Sequence, residues 1–415
     1  MKPPTAVGLG ANRPLFVLLI LLNAFVGATV GSERTLVPLL GEQVFLLGSS
    51  AAVLSFVATF GLAKAITNLM AGSWAASAGR RRVLLAGWVV GLPVPFILMF
   101  APAPHWWLVL AANVLLGVNQ GLCWSMTVLM KVDLAGERRR GLAVGLNEFS
   151  GYVAVGLAAF LTAVLADAYG LRPIPFLVAA AAVVAGLLLT VTLVPETKGL
   201  VSGGPSLRPL AALREFSRRR QLLLLNQAGL VNNFNDGVAW GLFPLFFSTA
   251  VPDPARLGLL VAAYPLTWGI TQLATGALSD QVGRKGLIGT GLVLQGAALA
   301  SIVTARGFEA WLGAMLMLGV GTAMVYPTLL SAVGDAVRPG ERAAALGVYR
   351  FWRDLGFFVG AVSAGILADV LAFGGLRTAG IAGAILVTAG VTLGSGLLAG
   401  MGLREPSRPG GAVRG

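Results

Sequence analysis

The sequence predicts an all-α integral membrane protein with about twelve transmembrane helices, arranged as two pseudo-symmetric six-helix bundles. Hydrophobic residues make up 56% of the 415 residues and charged residues only 11%, whereas about a quarter of a soluble domain is charged. Apolar runs long enough to cross about 30 Å of hydrocarbon recur along the whole chain. Motifs of the first half also return in the second half at a nearly constant spacing.

Six predicted spans fill the first half, residues 1–194, and short loops separate them. Pro93 and Pro95 predict a kink in the third span, because proline lacks the backbone N–H that a helix interior uses. The spans cover residues 14–40, 45–77, 83–101, 106–132, 141–166 and 173–194.

A polar stretch, residues 195–220, follows the sixth span and is predicted to be a cytoplasmic linker. It ends in a basic segment of the kind that attracts anionic lipid headgroups. Six further spans are predicted within residues 221–401, and residues 402–415 form a cytoplasmic tail. The second set of spans covers residues 221–250, 257–279, 286–305, 308–334, 343–371 and 376–401.

The positions of the basic residues predict the orientation in the membrane. The net charge is +13. Loops on one side of the predicted bundle hold only Arg172, Arg256, Arg306 and Arg377, whereas Lys and Arg crowd the loops and tails of the other side. Cytoplasmic loops carry such an excess. Both termini are therefore expected in the cytoplasm of an inner-membrane protein, and nucleic acid is not an expected partner.

A repeated spacing indicates a duplicated chain. Gly72 opens a charged hairpin between spans 2 and 3, and Gly276 opens its counterpart between spans 8 and 9, 204 positions later. Glu33 of span 1 and Asp236 of span 7 are 203 positions apart. Two parallel six-helix repeats are expected, and in such folds the solute site lies between the repeats near the midplane.

The second hairpin, GALSDQVGRK from Gly276, resembles the loop signature of the major facilitator superfamily. Pro195-Glu196-Thr197 after span 6 resembles the tail motif of sugar-transporter members. The first hairpin departs from the pattern, since Ala76 stands where the family carries Asp. The resemblance implies that both hairpins hold the cytoplasmic side shut. The implied gate residues are Gly72, Gly79, Arg80, Gly276, Asp280, Gly283 and Arg284.

Two shorter motifs are similar to those of proton-linked members of this family. Asn119-Gln120-Gly121 resembles part of the RxxQG motif, although Gly117 replaces its arginine. Glu33-Arg34-Thr35 is similar to the acid-x-Thr element of drug:proton antiporters, although span 5 lacks the Gly-Pro signature of that group. The resemblance therefore implies a secondary active transporter.

Ionisable side chains inside spans are the candidates for its chemistry, since each costs about 2.5–3.5 kcal/mol to insert. Shielding from water favours a neutral carboxyl, which suits a proton-coupling group, and arginine offers a planar fork to a carboxylate. The candidate coupling and solute-binding residues are Glu33, Arg34, Glu148, Asp236 and Arg350. The expected cavity lining is Asn23, Gln120, Trp124, Asn147, Asn232, Asn233, Asn235 and Tyr326. The alternative is that four acidic and four basic residues form ion pairs that hold the halves together; the other three are Lys64, Arg353 and Asp354.

The preferred hypothesis is a monomeric transporter in the lipid bilayer that exports a small solute in exchange for protons. One alternative is a proton-coupled symporter that imports an organic anion or a sugar-like solute. Another is a transporter-like sensor or scaffold, which the loss of Asp at Ala76 would suit. No cofactor is expected, and a single His and a single Cys make a transition-metal cluster an unattractive hypothesis. No set of nucleophile and base indicates an enzyme.

Overall fold

The structure, a computed structural model, describes residues 7–136, 139–200 and 208–405. Five side chains within these ranges lie outside the description: Leu9, Ala11, Ala277, Asp280 and Pro339. The described residues form long helices joined by short turns.

The first half crosses the bundle six times. Its helices are α1 Leu9–Arg34, α2 Leu36–Gln43, α3 Ser50–Ala78, α4 Arg80–Gly91, α5 Pro93–Phe100, α6 Trp106–Ala135, α7 Arg140–Tyr169 and α8 Leu177–Leu193. α1 and α2 are one crossing interrupted at Thr35, and α4 and α5 are one crossing interrupted at Leu92, directly before Pro93. The interruption at Leu92 follows from the missing proline N–H.

The linker carries a short helix of its own before the second half repeats the pattern. The remaining helices are α9 Pro209–Phe216, α10 Arg220–Ser248, α11 Pro254–Val282, α12 Arg284–Thr304, α13 Phe308–Asp335, α14 Arg342–Val370 and α15 Arg377–Gly402. α9 packs on α14, where Trp352 Nε1 donates to Ser217 Oγ at 2.7 Å. Phe216 is buried in this contact. The basic segment is thus tied to the second half; the domain limits at residues 194, 220 and 401 stay predictions.

Eleven crossings of the described chain are long and apolar enough to span a membrane. The twelfth, α10, is 29 residues long but includes the polar run from Asn232 to Asp236, which lowers its hydropathy. The predicted fold of about twelve helices is confirmed.

Two helix pairs form the most extensive contacts between the halves, α3 with α14 and α7 with α11. Glycines let the backbones approach: Gly61 of α3 lies against Phe357 of α14, and Gly156 of α7 lies against Leu266 of α11. We call the end where α1 begins and α15 ends the terminal end, and the other end the opposite end.

Candidate functional site

A polar pocket lies between the halves near the middle of the bundle. Its cavity volume is about 10 Å³, about enough for one water molecule, so the pocket is nearly closed in this state. Both halves contribute to its lining, which is Lys64, Asn68, Trp124, Tyr152, Tyr326, Arg350, Arg353 and Asp354. The α3–α14 and α7–α11 contacts bring these residues together, since α3 supplies Lys64, α7 supplies Tyr152 and α14 supplies the last three.

Asp354 is the centre of the polar contacts. Its Oδ1 accepts from Arg353 at 3.2 Å and from Asn233 Nδ2 at 3.2 Å, and Lys64 Nζ lies 3.8 Å away. Asn68 Nδ2 donates to Oδ2. Because Lys64 and Asn68 belong to the first half and Asp354 to the second, this carboxylate links the halves within the pocket.

Arg350 lies one turn closer to the terminal end than Asp354. Its guanidinium donates only a long hydrogen bond, to Ser125 Oγ at 3.4 Å, and within the described chain it has no carboxylate partner. Its side chain is partly exposed, as is that of Asn68. The terminal side of the pocket is therefore the accessible one.

Aromatic rings line the side of the pocket. Tyr152 stacks on Trp268 with 3.5 Å between ring centroids, and Trp124 lies 5.2 Å from Tyr152. The Arg353 guanidinium lies 3.9 Å from the centroid of the Tyr326 ring and donates to Tyr152 Oη at 2.8 Å. Cation–π contact and hydrogen bond together hold Arg353 rigidly.

The pocket is closed toward the opposite end by apolar rings and an ion pair. Trp240 packs edge-on against Phe60 and Phe357 and is fully buried. Next to it, Arg34 Nη1 and Nη2 donate to Asp236 Oδ1 and Oδ2 at 2.7 and 2.8 Å. This bidentate pair joins α1 to α10 and therefore crosses between the halves.

Glu33 lies beside Arg34 in the sequence but does not share its ion pair. The side chain is 1% exposed, and neither carboxyl oxygen has a hydrogen-bond partner within the described chain. An ionised carboxylate without a partner is expensive in such surroundings.

A second contact between the halves lies at the opposite end, where Asp369 of α14 meets the start of α3. Its carboxylate accepts from Ser49 Oγ at 2.5 Å, from the Ser50 N–H at 2.6 Å and from the Ala51 N–H at 3.0 Å. Arg377 pairs with Glu42 at 2.5 Å nearby. A carboxylate at a helix N-terminus satisfies free N–H groups and the helix dipole. We call the contact of Asp369 with residues 49–51 the latch.

The predicted gate hairpins form matching clusters at the terminal end. Gly79 and Gly283 turn the chain with φ of 96° and 101°, which favours glycine. Arg80 Nε donates to Asp133 at 3.1 Å, and Arg284 Nε donates to Asp335 at 3.1 Å.

A glutamate completes each cluster by accepting from the first two N–H groups of the following helix. Glu196 does so at Arg80 and Arg81, and Glu405 does so at Arg284 and Lys285. Partial burial disfavours the charged form of Glu196, but hydrogen bonds from the N–H groups of Lys198, Arg80, Arg81 and Thr197 outweigh it and lower its pKa. Glu405 was not singled out from the sequence, although Arg404-Glu405-Pro406 occupies the place after span 12 that Pro195-Glu196-Thr197 occupies after span 6.

Three of the predicted site residues line the pocket: Trp124, Tyr326 and Arg350. Glu148 lies directly behind, accepting from Trp124 Nε1 at 2.9 Å and Asn147 Nδ2 at 3.2 Å. Asn233 reaches the pocket through Asp354.

The other predicted asparagines and the glutamine bridge helices within one half. Asn23 Nδ2 donates to the Asn147 carbonyl at 2.6 Å, and Gln120 Nε2 donates to the Val26 carbonyl at 2.7 Å. Gln295 joins Asn232 and Asn235 at 3.0 and 2.9 Å. Polar residues bind helices together in a membrane, and periodicity along one helix does not reveal which neighbour such a side chain faces.

The gate residues Gly72 and Gly276 lie on α3 and α11 near the terminal end. Gly72 has open space around it, with nothing within 4 Å of an added Cβ. The backbone of Asp280 belongs to α11, but its side chain lies outside the described part, so its contact with the start of α7 stays a prediction.

Five pocket residues were not in the predicted site: Lys64, Asn68, Tyr152, Arg353 and Asp354. Lys64, Arg353 and Asp354 carried a usable signal, because each is an ionisable residue inside a span. The sequence pattern favours Glu33 and Asp236 over these three residues, because they occupy equivalent positions in predicted spans 1 and 7.

The chain is similar to known membrane transporters in both sequence and structure. The sequence pattern of the Major Facilitator Superfamily matches residues 15–232 and 225–415. An uncharacterised MFS-type transporter of Salmonella typhimurium is 25% identical over 361 residues, which cover 83% of this chain and 87% of that protein. The quinolone resistance protein NorA of Staphylococcus aureus is 25% identical over 134 residues, which cover 32% of this chain and 34% of NorA.

Solved structures show the same fold. The xylose transporter XylE from E. coli, in a partially occluded inward-open conformation, superimposes with a TM-score of 0.71 at 16% sequence identity, covering 94% of this chain and 98% of XylE. Since the family pattern extends over both halves and the fold agrees with it, the chain belongs to the Major Facilitator Superfamily of membrane transporters.

Proposed function

We propose that this transporter exports a small solute by alternating access, in exchange for protons, with its terminal end in the cytoplasm of an inner membrane. The pocket between the halves is the solute site. In the present structure the opposite end is held shut and the partly exposed Arg350 faces the terminal side, so a solute enters from the cytoplasm.

The observation that carries proton exchange is the Arg34–Asp236 pair. It joins α1 to α10 where the halves are closed, so it must separate when the opposite end opens. A proton on Asp236 removes the charge that Arg34 binds. Proton binding and closure of the opposite end therefore oppose each other, and the balance between the two states depends on pH. The partnerless carboxyl of Glu33 is a second proton site next to this pair.

Export is favoured by the relative named for quinolone resistance, which matches a third of the chain. The symporter hypothesis differs in the direction of solute movement relative to protons. The sensor hypothesis differs in predicting no solute flux at all.

Purified protein in proteoliposomes with an imposed pH gradient separates these hypotheses. We expect solute-dependent proton flux, opposite in direction to the flux of the solute, within a panel that includes benzoate and a quinolone. Asp236→Asn abolishes the proton flux, because the side chain can no longer bind and release a proton. Glu309→Gln, an exposed carboxylate on α13, is the matched control.

Proton and solute moving in the same direction would establish the symporter. Wild-type flux in Asp236→Asn would remove this residue from coupling, and absence of any flux would favour the sensor.

A further inference from the structure

We propose that the pocket takes a small organic anion with a flat aromatic body, held by Arg350. This rests on the proposed function, since it names the solute class of the same pocket. It does not depend on the direction of transport or on proton coupling.

The charged side chains around the pocket favour an anionic ligand. The pocket lining contains three cationic side chains, Lys64, Arg350 and Arg353, and one carboxylate, Asp354. Counting Glu148 behind Trp124, the cations outnumber the carboxylates by three to two. A partly exposed cation without a carboxylate partner in the described chain is stabilised when an anion binds next to it, because the two opposite charges attract each other.

Geometry identifies Arg350 as the unpaired cation. Lys64 lies 3.8 Å from Asp354, and Arg353 is held by Asp354 and Tyr152. Among the residues that the structure describes, the guanidinium of Arg350 makes only the 3.4 Å hydrogen bond to Ser125. Its planar fork matches a carboxylate with two parallel hydrogen bonds.

The aromatic side chains that line the pocket favour a ligand with a flat apolar ring. Trp124, Tyr152 and Tyr326 all line the pocket, and their rings lie at tilted or perpendicular angles to one another around it. Such a set offers both faces and edges to a flat apolar ring. In this state the cavity volume is only about 10 Å³, about enough for one water molecule. The rings must therefore move apart to admit a ligand, which favours a small, flat, single-ring acid over a larger one.

The test uses the full-length protein in detergent and three probes of nearly equal shape: benzoate, benzamide and benzylamine. Binding is followed by tryptophan emission, since Trp124 lines the pocket and Trp268 stacks on its wall. We expect benzoate to bind at least about tenfold more tightly than either of the others. Arg350→Gln should weaken benzoate about 10- to 100-fold, as expected for hydrogen bonds to charged groups, and leave benzamide unchanged.

Arg350→Lys keeps the charge without the fork and should retain part of the affinity, which separates loss of the ligand contact from loss of folding. Arg306→Gln, an exposed arginine in a loop at the opposite end, is the control and should bind like the wild type. Each variant is first checked for a single gel-filtration peak.

Equal or tighter binding of benzamide or benzylamine, absence of saturable benzoate binding, or unchanged benzoate binding in Arg350→Gln would overturn the proposal. Because binding is measured without a membrane or a pH gradient, a failure here leaves proton-coupled export standing. Conversely, benzoate binding without proton flux in proteoliposomes would leave the anion site standing and contradict proton-coupled export.

Discussion

The starts of α3 and α11 occupy equivalent places in the two halves, yet their N-terminal N–H groups are satisfied in different ways. α11 begins at its own Asp253, whose Oδ1 accepts from Ala255 and Arg256 at 2.8 and 3.2 Å. α3 begins at Ser49, a neutral cap, and its remaining N–H groups are satisfied by Asp369 from the other half.

The same difference appears at the helix ends that approach these starts. Asp369 near the end of α14 and Asp167 near the end of α7 are 202 positions apart, but Asp167 is exposed. The Asp253 carboxylate at the start of α11 would repel a second carboxylate placed there. Closure at the opposite end is therefore asymmetric: the α3–α14 pair carries the latch, whereas the α7–α11 start needs no partner from the other half.

The terminal ends show the complementary arrangement in the sequence. The α3 end has Ala76 where the family carries Asp, while the α11 end keeps Asp280. The α3–α14 pair thus has a carboxylate that bridges the halves at the opposite end and none at position 76, whereas the α7–α11 pair keeps Asp280 at its terminal end. If Asp280 contacts the start of α7 as predicted, α3–α14 controls the opposite end and α7–α11 controls the terminal end.

The largest effect is expected when the latch is removed. Asp369→Ala eliminates three hydrogen bonds to a charged acceptor, each contributing about 1.5–3 kcal/mol net of water in a buried site and less at this half-exposed one. We expect the opposite end to open at least about tenfold more often. Leu54→Cys, introduced into the buried contact with Gly241, reports this opening through its rate of labelling by an impermeant maleimide. The native Cys123 is buried and should contribute little background.

Asp167→Asn is the matched control for this experiment, since it removes the equivalent carboxylate of the other helix pair. Its labelling rate should equal that of the parent. An increase as large as that of Asp369→Ala would show that the two pairs share the closure equally, against the asymmetry described above.

The sequence was sufficient for the architecture because apolar length, loop charge and the 204-residue repeat are properties of the chain itself. It was not sufficient for the pocket. Lys64 and Asp354 are partners across 290 positions, and nothing in either helix alone indicates which face meets the other half. Asn23 and Gln120 look like cavity residues by polarity, but their donors are used by backbone carbonyls of neighbouring helices.

A smaller effect is expected when the α3 start is made to resemble the α11 start. Ser49→Asp supplies α3 with its own charged cap and places this charge beside Asp369. The latch should weaken, though less than in Asp369→Ala, because Arg377 donates to Ser50 Oγ at 3.3 Å and is close enough to reduce the repulsion. Leu54→Cys labelling between that of the parent and that of Asp369→Ala is the expected result. Labelling at or below the parent rate would contradict the role of the neutral cap.

The smallest effect concerns the terminal start of α14, where Arg219 donates to both oxygens of Glu341 at 3.0 and 2.9 Å. Hydrogen bonds from Arg219 and from the Arg338 N–H lower the pKa of Glu341 to about 2. A carboxyl with a lowered pKa contributes stability above its ordinary value of 4.5 and loses it only as the pH falls toward 2. Between pH 8 and pH 5 this contact should therefore stay intact, and Glu341→Gln should leave the shape of the pH profile of Leu54→Cys labelling unchanged. We attribute the pH response of opening to Asp236 and Glu33, on the other side of the pocket. A pH profile of different shape in Glu341→Gln would show that the contact at the terminal end contributes to this response.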